Sequence, residues 1–158
     1  MTRIFEESAV SIEALDTHLR DSGLVPYSVQ PDAIRLRTES GIGYRISLVP
    51  DRKFIRFATY LPLAKQAPIE EKYELARRLN DEIFLPVFTI DQDEDLTVVY
   101  VMAYAGGLIA GTFVSVVHRF ASLLQFVVAT YNPDGLIDFG APPAVSDLRD
   151  SVDIELLH

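Results

Sequence analysis

Residues 34–59 read IRLRTESGIGYRISLVPDRKFIRFAT, and this stretch decides the fold. Three segments within it alternate apolar and polar side chains with a period of two, which is typical of half-buried strands. The first segment ends before the glycine-containing loop Ser40–Ile42, and the second ends at the turn residues Pro50 and Asp51. Because such short turns require antiparallel pairing, the stretch predicts a three-stranded meander.

Helical patterns flank this meander on both sides. Apolar residues recur at three- and four-residue intervals over 8–21 and again over 68–83, which indicates two amphipathic helices. Two further strands follow, over 87–90 and 96–104, and the second of them is apolar on both faces, which predicts a central place in the sheet. The predicted fold is therefore α+β, in the order helix, three-stranded antiparallel meander, helix, two strands, helix.

The third helix, over 112–131, is apolar nearly all round. It is about as long as a membrane span, but His118, Arg119 and Gln125 lie within it, so we expect a buried helix and no membrane insertion. One sheet covers only one side of such a helix, so a second subunit or the C-terminal tail must cover the rest, and a homodimer is the simpler answer. We assign the dimer interface to Phe113, Val117, Phe120, Leu124 and Phe126.

Length and composition restrict the classes of function. The 158 residues suit one domain, which we place at 1–131, followed by an acidic, partly mobile C-terminal tail at 132–158. The net charge of −9 argues against a nucleic-acid partner. The absence of cysteine excludes disulfides, thiolate metal sites and cysteine nucleophiles. Because the N-terminal residues lack the apolar run of a signal peptide, we expect a cytoplasmic location.

Candidate chemical sites are few. Asp91, Asp93 and Asp95 have the spacing of calcium ligands, but Leu96 and Met102 stand where a calcium loop needs glycine and glutamate. We interpret these aspartates as a solvated hairpin turn. The three histidines lie on separate elements, and the sequence carries no nucleophile-elbow or phosphate-loop motif. We therefore expect a protein that is not an enzyme and that has no cofactor and no bound metal.

The outward face of the meander is the most informative surface, because it carries Arg35, Arg37, Arg45 and Arg56. With Ser40–Ile42 as a three-residue loop, we expect Arg37 opposite Arg45, Arg35 opposite Ser47, and Ser47 opposite Arg56. Like charges placed opposite each other are destabilising, so this face invites an anionic partner, either the protein's own tail or another chain. Simple solubility is the competing explanation, since exposed strand positions are commonly charged.

Several short motifs, each present once, lie between Ser8 and Tyr131. They are ARRLN at 76–80, FTID at 88–91, VYVMA at 99–103, AGGL at 105–108, and the phenylalanines Phe120 and Phe126. The pattern resembles the YbjN family of bacterial sensory transduction regulators, whose fold is similar to that of type III secretion chaperones. The chain lacks the tryptophan often found in the family's last helix. Within ARRLN, we expect Leu79 in the core and Asn80 bound to backbone groups near the start of the next strand.

Two functions stay open at this point. The resemblance implies a non-enzymatic regulatory or chaperone-like protein that forms a homodimer and binds a segment of a client protein, and the four arginines are our candidate protein-binding residues. The alternative is a small-ligand-binding protein, or an unrecognised enzyme, with a pocket between the third helix and the sheet. Tyr44, Tyr100 and Tyr104 would supply polar groups to that pocket.

Overall fold

The computed structural model describes residues 2–140 and confirms the predicted α+β order. The helices are α1 (Ile12–Asp21), α2 (Ile69–Glu82) and α3 (Ala110–Thr130), and a 3₁₀ turn over Glu7–Ala9 precedes α1. The strands are β1 (Ile4–Phe5), β2 (Ser28–Gln30), β3 (Ala33–Arg37), β4 (Gly43–Val49), β5 (Phe54–Leu61), β6 (Val87–Ile90), β7 (Leu96–Ala103) and β8 (Leu108–Ile109). Strands β1, β2 and β8 were not predicted, because two or three residues are too few to show a period of two.

Six of the strands form one sheet in the order β2-β3-β4-β5-β7-β6, and β1 pairs with β8 in a separate two-stranded sheet. Strands β3, β4 and β5 pair antiparallel, which confirms the meander. Strand β7 lies between β5 and β6, as its apolar pattern on both faces predicted. The sheet ends at β2 on one side and at β6 on the other.

The register between β3 and β4 differs from the predicted one by two residues. Arg35 lies opposite Arg45, and Arg37 lies opposite Gly43, whereas we expected Arg37 opposite Arg45. The turn is centred on Ser40, one residue earlier than predicted, because Thr38 closes it: its backbone N–H donates to the carbonyl of Ile42 at 2.9 Å, and its hydroxyl oxygen accepts from the backbone N–H of Ile42 at 3.1 Å. A shift of two residues leaves every side chain on its predicted face.

The chain divides into two compact units, the first of which comprises Met1–Ala58 and Tyr100–Phe126. Its aromatic centre is Phe57 of β5, whose ring centroid lies 5.9 Å from that of Phe120, 6.1 Å from that of Phe113 and 6.0 Å from that of Tyr100. Helix α1 buries Ile12, Leu15 and Leu19, the same face that the sequence predicted. Ser11 caps this helix, because its hydroxyl oxygen accepts from the backbone N–H of Ala14 at 3.1 Å.

The second unit comprises Thr59–Val99 and continues from Val127 onward. Asn80 near the end of α2 makes two hydrogen bonds to the backbone of Phe88: its Nδ2 donates to the Phe88 carbonyl at 2.8 Å, and its Oδ1 accepts from the Phe88 N–H at 2.9 Å. This confirms the predicted role of Asn80. Leu79 beside it is fully buried, as expected.

Residues 132–140, which we assigned to the tail, are part of the second unit and are held in place by hydrogen bonds. The Asn132 side chain bonds the backbone of Ile137 at both the N–H and the carbonyl, at 2.7 and 2.9 Å. Ile137 is buried and forms a β-bridge with Leu63. The remainder of the predicted tail, residues 141–158, lies outside the described part of the chain.

The burial of Tyr44 of β4 can be tested by measuring stability as a function of pH. Burial raises the pKa of Tyr44 to about 12 from the ordinary value of 10.0. The folded state therefore favours the neutral phenol, and this contribution is fully present below pH 10 and is lost as the pH rises through 12. We expect the free energy of unfolding to fall by about 2–3 kcal/mol across that interval through Tyr44 alone. Urea unfolding of the wild type and Tyr44→Phe at several alkaline pH values measures it, and parallel pH dependences would contradict the assignment.

Candidate functional site

Four arginines share the outward face of β3, β4 and β5. Arg35 lies directly opposite Arg45, and Ser47 lies opposite Arg56, so Arg56 is the diagonal neighbour of Arg45. The inward residues of the same strands, such as Ile34, Ile46 and Phe57, are fully buried, which fixes the arginines on the other face. We call Arg35, Arg37, Arg45 and Arg56 the arginine face.

The positive charges of the arginine face are not neutralised within the described residues. None of the ion pairs found in residues 2–140 includes any of the four arginines. The Nε of Arg45 is buried and has no hydrogen-bond partner among these residues. Burial of the Arg56 guanidinium, together with the charge of Arg45, lowers the pKa of Arg56. Each observation indicates positive charge held at a cost in free energy, which an anionic group would reduce.

Two neighbours extend the arginine face. The guanidinium of Arg37 stacks over the ring of Tyr27, with 4.2 Å from the Arg37 Cζ to the ring centroid. On β7, the ring of Tyr100 lies beside Phe57, which faces inward. Because side chains alternate along a strand, the next residue, Val101, points outward, and its side chain is 41% exposed. The surface thus combines guanidinium groups with aromatic and aliphatic contacts.

The sheet edge beside the arginine face escaped the sequence analysis. Strand β2 is the last strand of its sheet, and Ser28 lies opposite Arg35. Val25 and Val29 next to this edge are 71% and 39% exposed. The alternation of Val25, Tyr27 and Val29 was the available signal, but Pro26 and the three-residue length of β2 obscured it.

The five residues assigned to a dimer interface lie in two different environments. Phe113, Val117, Phe120 and Leu124 are buried inside the chain itself, with exposed fractions of 3% or less. Phe126 is 50% exposed. The first four therefore support the core of the folded chain, and Phe126 alone of the five reaches the surface.

Helix α3 also has the length and apolarity of a membrane span, with a mean hydropathy of 1.5 over its most apolar window. Core helices of water-soluble proteins pass the same test. Ser115, Arg119 and Ser122 are exposed along one stripe of α3, and Gln125 near the end of that stripe accepts a hydrogen bond from the backbone N–H of Ser40 at 3.2 Å. This polar stripe favours a surface in contact with water.

The pocket predicted beside the third helix is occupied by protein side chains. The ring centroids of Tyr44 and Phe120 are 5.7 Å apart, and that of Phe57 lies 6.0 Å from Tyr100 and 6.1 Å from Phe113. Tyr44 and Tyr104 are buried at 4% and 3% exposure. These tyrosines therefore serve the core among the described residues.

A surface depression of about 520 Å³ occurs elsewhere, within the second unit. It is lined by Glu70, Glu71, Glu74, Leu75, Arg78, Tyr131, Pro133, Asp134 and Leu136. Glu74 is already paired with Arg77, and the Tyr131 hydroxyl with Glu82, so part of its polar lining is committed to structural contacts.

The three aspartates of the β6–β7 turn organise the backbone. One carboxylate oxygen of Asp91 accepts from the backbone N–H groups of Asp93 and Asp95, both at 2.9 Å. Asp95 is not solvated as predicted: it is 7% exposed and accepts from the backbone N–H of Leu63 at 3.1 Å. Within residues 2–140 no three acidic or histidine side chains group as metal ligands would.

The family is decided by a match along most of the chain. The profile of the YbjN family, described as "Putative bacterial sensory transduction regulator", matches residues 11–128. The chain belongs to the YbjN family. No curated protein sequence matches it significantly. The match covers the arginine face, α2 with Asn80 and most of α3, so these are features of this YbjN domain.

Solved structures share the fold. YbjN from E. coli is 18% identical with a TM-score of 0.62, and the match covers 76% of this chain and 93% of that one. A chain of the ExsC-ExsE complex is 13% identical with a TM-score of 0.56, covering 82% and 95%. The Yersinia pestis type III secretion chaperone SycH, in complex with a stable fragment of YscM2, is 10% identical with a TM-score of 0.51, covering 75% and 98%. The YbjN domain therefore has a type III secretion chaperone-like fold.

Proposed function

We propose that this protein is a non-enzymatic, cytoplasmic regulator of the chaperone-like kind, which forms a homodimer and binds an anionic segment of a client protein on its arginine face. The observation that carries the proposal is Arg45, whose buried Nε has no hydrogen-bond partner among residues 2–140 and whose charge faces Arg35 directly across the sheet. A protein that only needed solubility gains nothing from burying a guanidinium nitrogen that has no partner among the described residues.

A carboxylate is the chemical group that best fits this face. It can accept two parallel hydrogen bonds from one guanidinium, and such charge-assisted bonds are about twice as strong as neutral ones. It also reduces the repulsion between Arg35 and Arg45 and the penalty that Arg56 bears beside Arg45. The exposed side chain of Val101 adds an apolar contact on the same side of the sheet. The client segment is therefore expected to combine acidic and apolar residues.

The structural neighbours support a protein partner rather than a small substrate. ExsC was crystallised in a complex with ExsE, and SycH in a complex with a fragment of YscM2. These facts concern those proteins, and at 13% and 10% identity the shared property is the fold. They favour protein binding here because the arginine face lies on the sheet of that same fold.

Charge reversal at Arg45 tests the proposal. Partners captured on the immobilised wild type are identified, and the binding segment of each is synthesised as a peptide for titration calorimetry. We expect Arg45→Glu to raise the dissociation constant of that peptide at least about tenfold, which corresponds to roughly 1.4 kcal/mol. Added salt should weaken wild-type binding more than it weakens binding by the variant.

The matched control is Arg77→Glu, which makes the same change of charge on the exposed surface of α2, where Arg77 is paired with Glu74. This variant should bind the peptide like the wild type. Equal affinities of the wild type and Arg45→Glu, with both proteins folded by circular dichroism, would exclude the arginine face as the binding surface.

A further inference from the structure

We infer that the homodimer forms through the corner between α2 and β6, where one copy of the chain packs against the same surface of a second copy. The inference rests on the proposed function, because it locates the contact by which the proposed homodimer forms. This surface, which we call the apolar corner, consists of four side chains of the second unit: Tyr73, Phe84, Leu85 and Val87.

The connection from α2 to β6 exposes three large apolar side chains within four positions. Phe84 is 86% exposed, Leu85 is 68% exposed and Val87 is 56% exposed. Single exposed apolar residues are common on proteins, but a contiguous group of large ones marks an interaction surface. The connection therefore points to a partner with an apolar surface.

Tyr73 extends this group along α2, and its side chain is 58% exposed. It lies seven residues before Asn80, which is about two helical turns along the same stripe of α2. Asn80 bonds the backbone N–H and carbonyl of Phe88 in β6, so this stripe runs beside the β6 edge. Because those bonds occupy backbone groups of the edge, a second copy meets side chains there and not an open strand.

The backbone of the apolar corner is held in an unfavourable conformation. Leu85 has a φ of 89°, in the left-handed region that bulky residues rarely adopt and that glycine adopts freely. Such strain clusters at functional sites, where it forms part of the function. At this position it holds an apolar side chain in solvent, outside the core of its own chain.

A second copy fits the apolar corner better than the proposed client does. Residues 83–87 read IFLPV and carry no charge, so the corner is complementary to itself, as a two-fold dimer requires. The arginine face cannot pair with itself, because like charges would meet. An acidic client is disfavoured at the corner, since Asp81 and Glu82 directly precede it.

The exposed area is close to what a stable dimer needs. With these exposed fractions, the four side chains offer on the order of 500 Å² in each copy. Two copies that meet through them cover about 1,000 Å², and the smallest stable interfaces cover about 1,200 Å² in total. Backbone and polar atoms around the corner supply the small remainder.

Sedimentation velocity of the full chain tests the inference. The wild type should sediment as a dimer, and Phe84→Ser combined with Leu85→Gly should raise the dimer dissociation constant at least about tenfold. Ile4→Ser is the matched control, because it removes an aliphatic side chain of the first unit that is 63% exposed. This control should dissociate like the wild type.

Leu85→Gly alone separates association from folding. Glycine adopts the φ of residue 85 without strain, so the urea midpoint of the monomeric variant should be at least as high as that of the monomeric wild type. Its dimer dissociation constant should nevertheless rise several-fold. A lower midpoint together with an unchanged dissociation constant would assign Leu85 to the stability of its own chain and overturn the inference.

Cysteine cross-linking tests which surface meets its copy, because the chain contains no native cysteine. At least one of the single variants Phe84→Cys, Leu85→Cys and Val87→Cys should form a disulfide-linked species of twice the chain mass. Its formation should be roughly tenfold faster than for Glu13→Cys, an exposed position of α1. Equal rates for all four variants would contradict the contact.

The outcomes separate this inference from the proposed function. A wild-type dimer that persists in the Phe84→Ser, Leu85→Gly variant rejects the apolar corner and leaves the homodimer standing. A wild type that sediments as a monomer rejects both the corner and the homodimer, while client binding that requires Arg45 would still stand. Loss of client binding in the double variant, with the dimer unchanged, assigns the corner to the client and overturns the inference.

Discussion

A Phe120→Ala variant is expected to lose about 3–5 kcal/mol of its free energy of unfolding. Phe120 is 3% exposed, and its ring packs against both Phe57 and Tyr44. Truncation removes those contacts and leaves a cavity that the strands can close only in part. Chemical denaturation of the two proteins measures the loss. A change below about 1 kcal/mol would contradict the packing of Phe120 against Phe57 and Tyr44 as a main support of this core.

Phe126→Ser is the matched variant, six residues further along the same helix. Phe126 is half exposed, so its replacement should change the free energy of unfolding by less than about 1 kcal/mol. If the proposed homodimer uses this part of α3, Phe126→Ser should lower the dimer fraction in sedimentation velocity while the fold is retained. An unchanged dimer fraction would move the interface away from Phe126, and a wild type that sediments as a monomer would remove the homodimer from the proposed function.

The contrast between Phe120 and Phe126 shows what the sequence could not predict about α3. The sequence shows an apolar helix with a polar stripe, and both features are present. It does not show how much of the apolar surface one chain can cover. Rings from β4 and β5, Tyr44 and Phe57, reach Phe120, and four of the five residues assigned to a partner are buried within the chain itself. Which strand side chains contact the helix depends on tertiary packing, and the spacing of apolar residues in the sequence does not predict it.

The arginine face was predictable for a different reason. Strand periodicity fixes which side chains share a face, and a shift of two residues in register preserves that assignment. The prediction of the four arginines on one face is therefore correct although the turn between β3 and β4 lies one residue earlier than predicted. Ser47 lies opposite Arg56 as predicted, but the partners across β3 and β4 differ, because Thr38 closes the turn one residue earlier through a side-chain hydrogen bond that no pattern of apolar residues encodes. The β2 edge and the stacking of Tyr27 on Arg37 were missed for the same reason, since both depend on a strand only three residues long.

An Asn80→Ala variant is expected to lose about 2–3 kcal/mol of its free energy of unfolding. Two hydrogen bonds disappear, and the backbone N–H and carbonyl of Phe88, a residue 1% exposed, lose their partners. Strand β6 is the last strand on its side of the sheet, so Asn80 covers part of an otherwise open edge. We therefore also expect Asn80→Ala to self-associate at high concentration, because uncovered strand edges pair with one another. Denaturation curves and light scattering measure the two effects, and Asp81→Ala on the same helix is the surface control.

The nearly isosteric change Asn80→Asp separates the hydrogen bonds from the packing. In the wild type, Nδ2 of Asn80 lies 2.8 Å from the carbonyl oxygen of Phe88. At neutral pH a carboxylate oxygen of the aspartate takes the place of this nitrogen and faces the same carbonyl oxygen. Two acceptors then meet, so Asn80→Asp should be at least as unstable as Asn80→Ala even though its shape is kept. Repulsion raises the pKa of the new carboxyl in the folded state, and the protonated acid can donate to the carbonyl. Part of the lost stability should therefore return as the pH falls, relative to the wild type at the same pH. An Asn80→Asp protein as stable as the wild type at pH 7 would show that Asn80 acts through packing and that the paired hydrogen bonds to Phe88 contribute little.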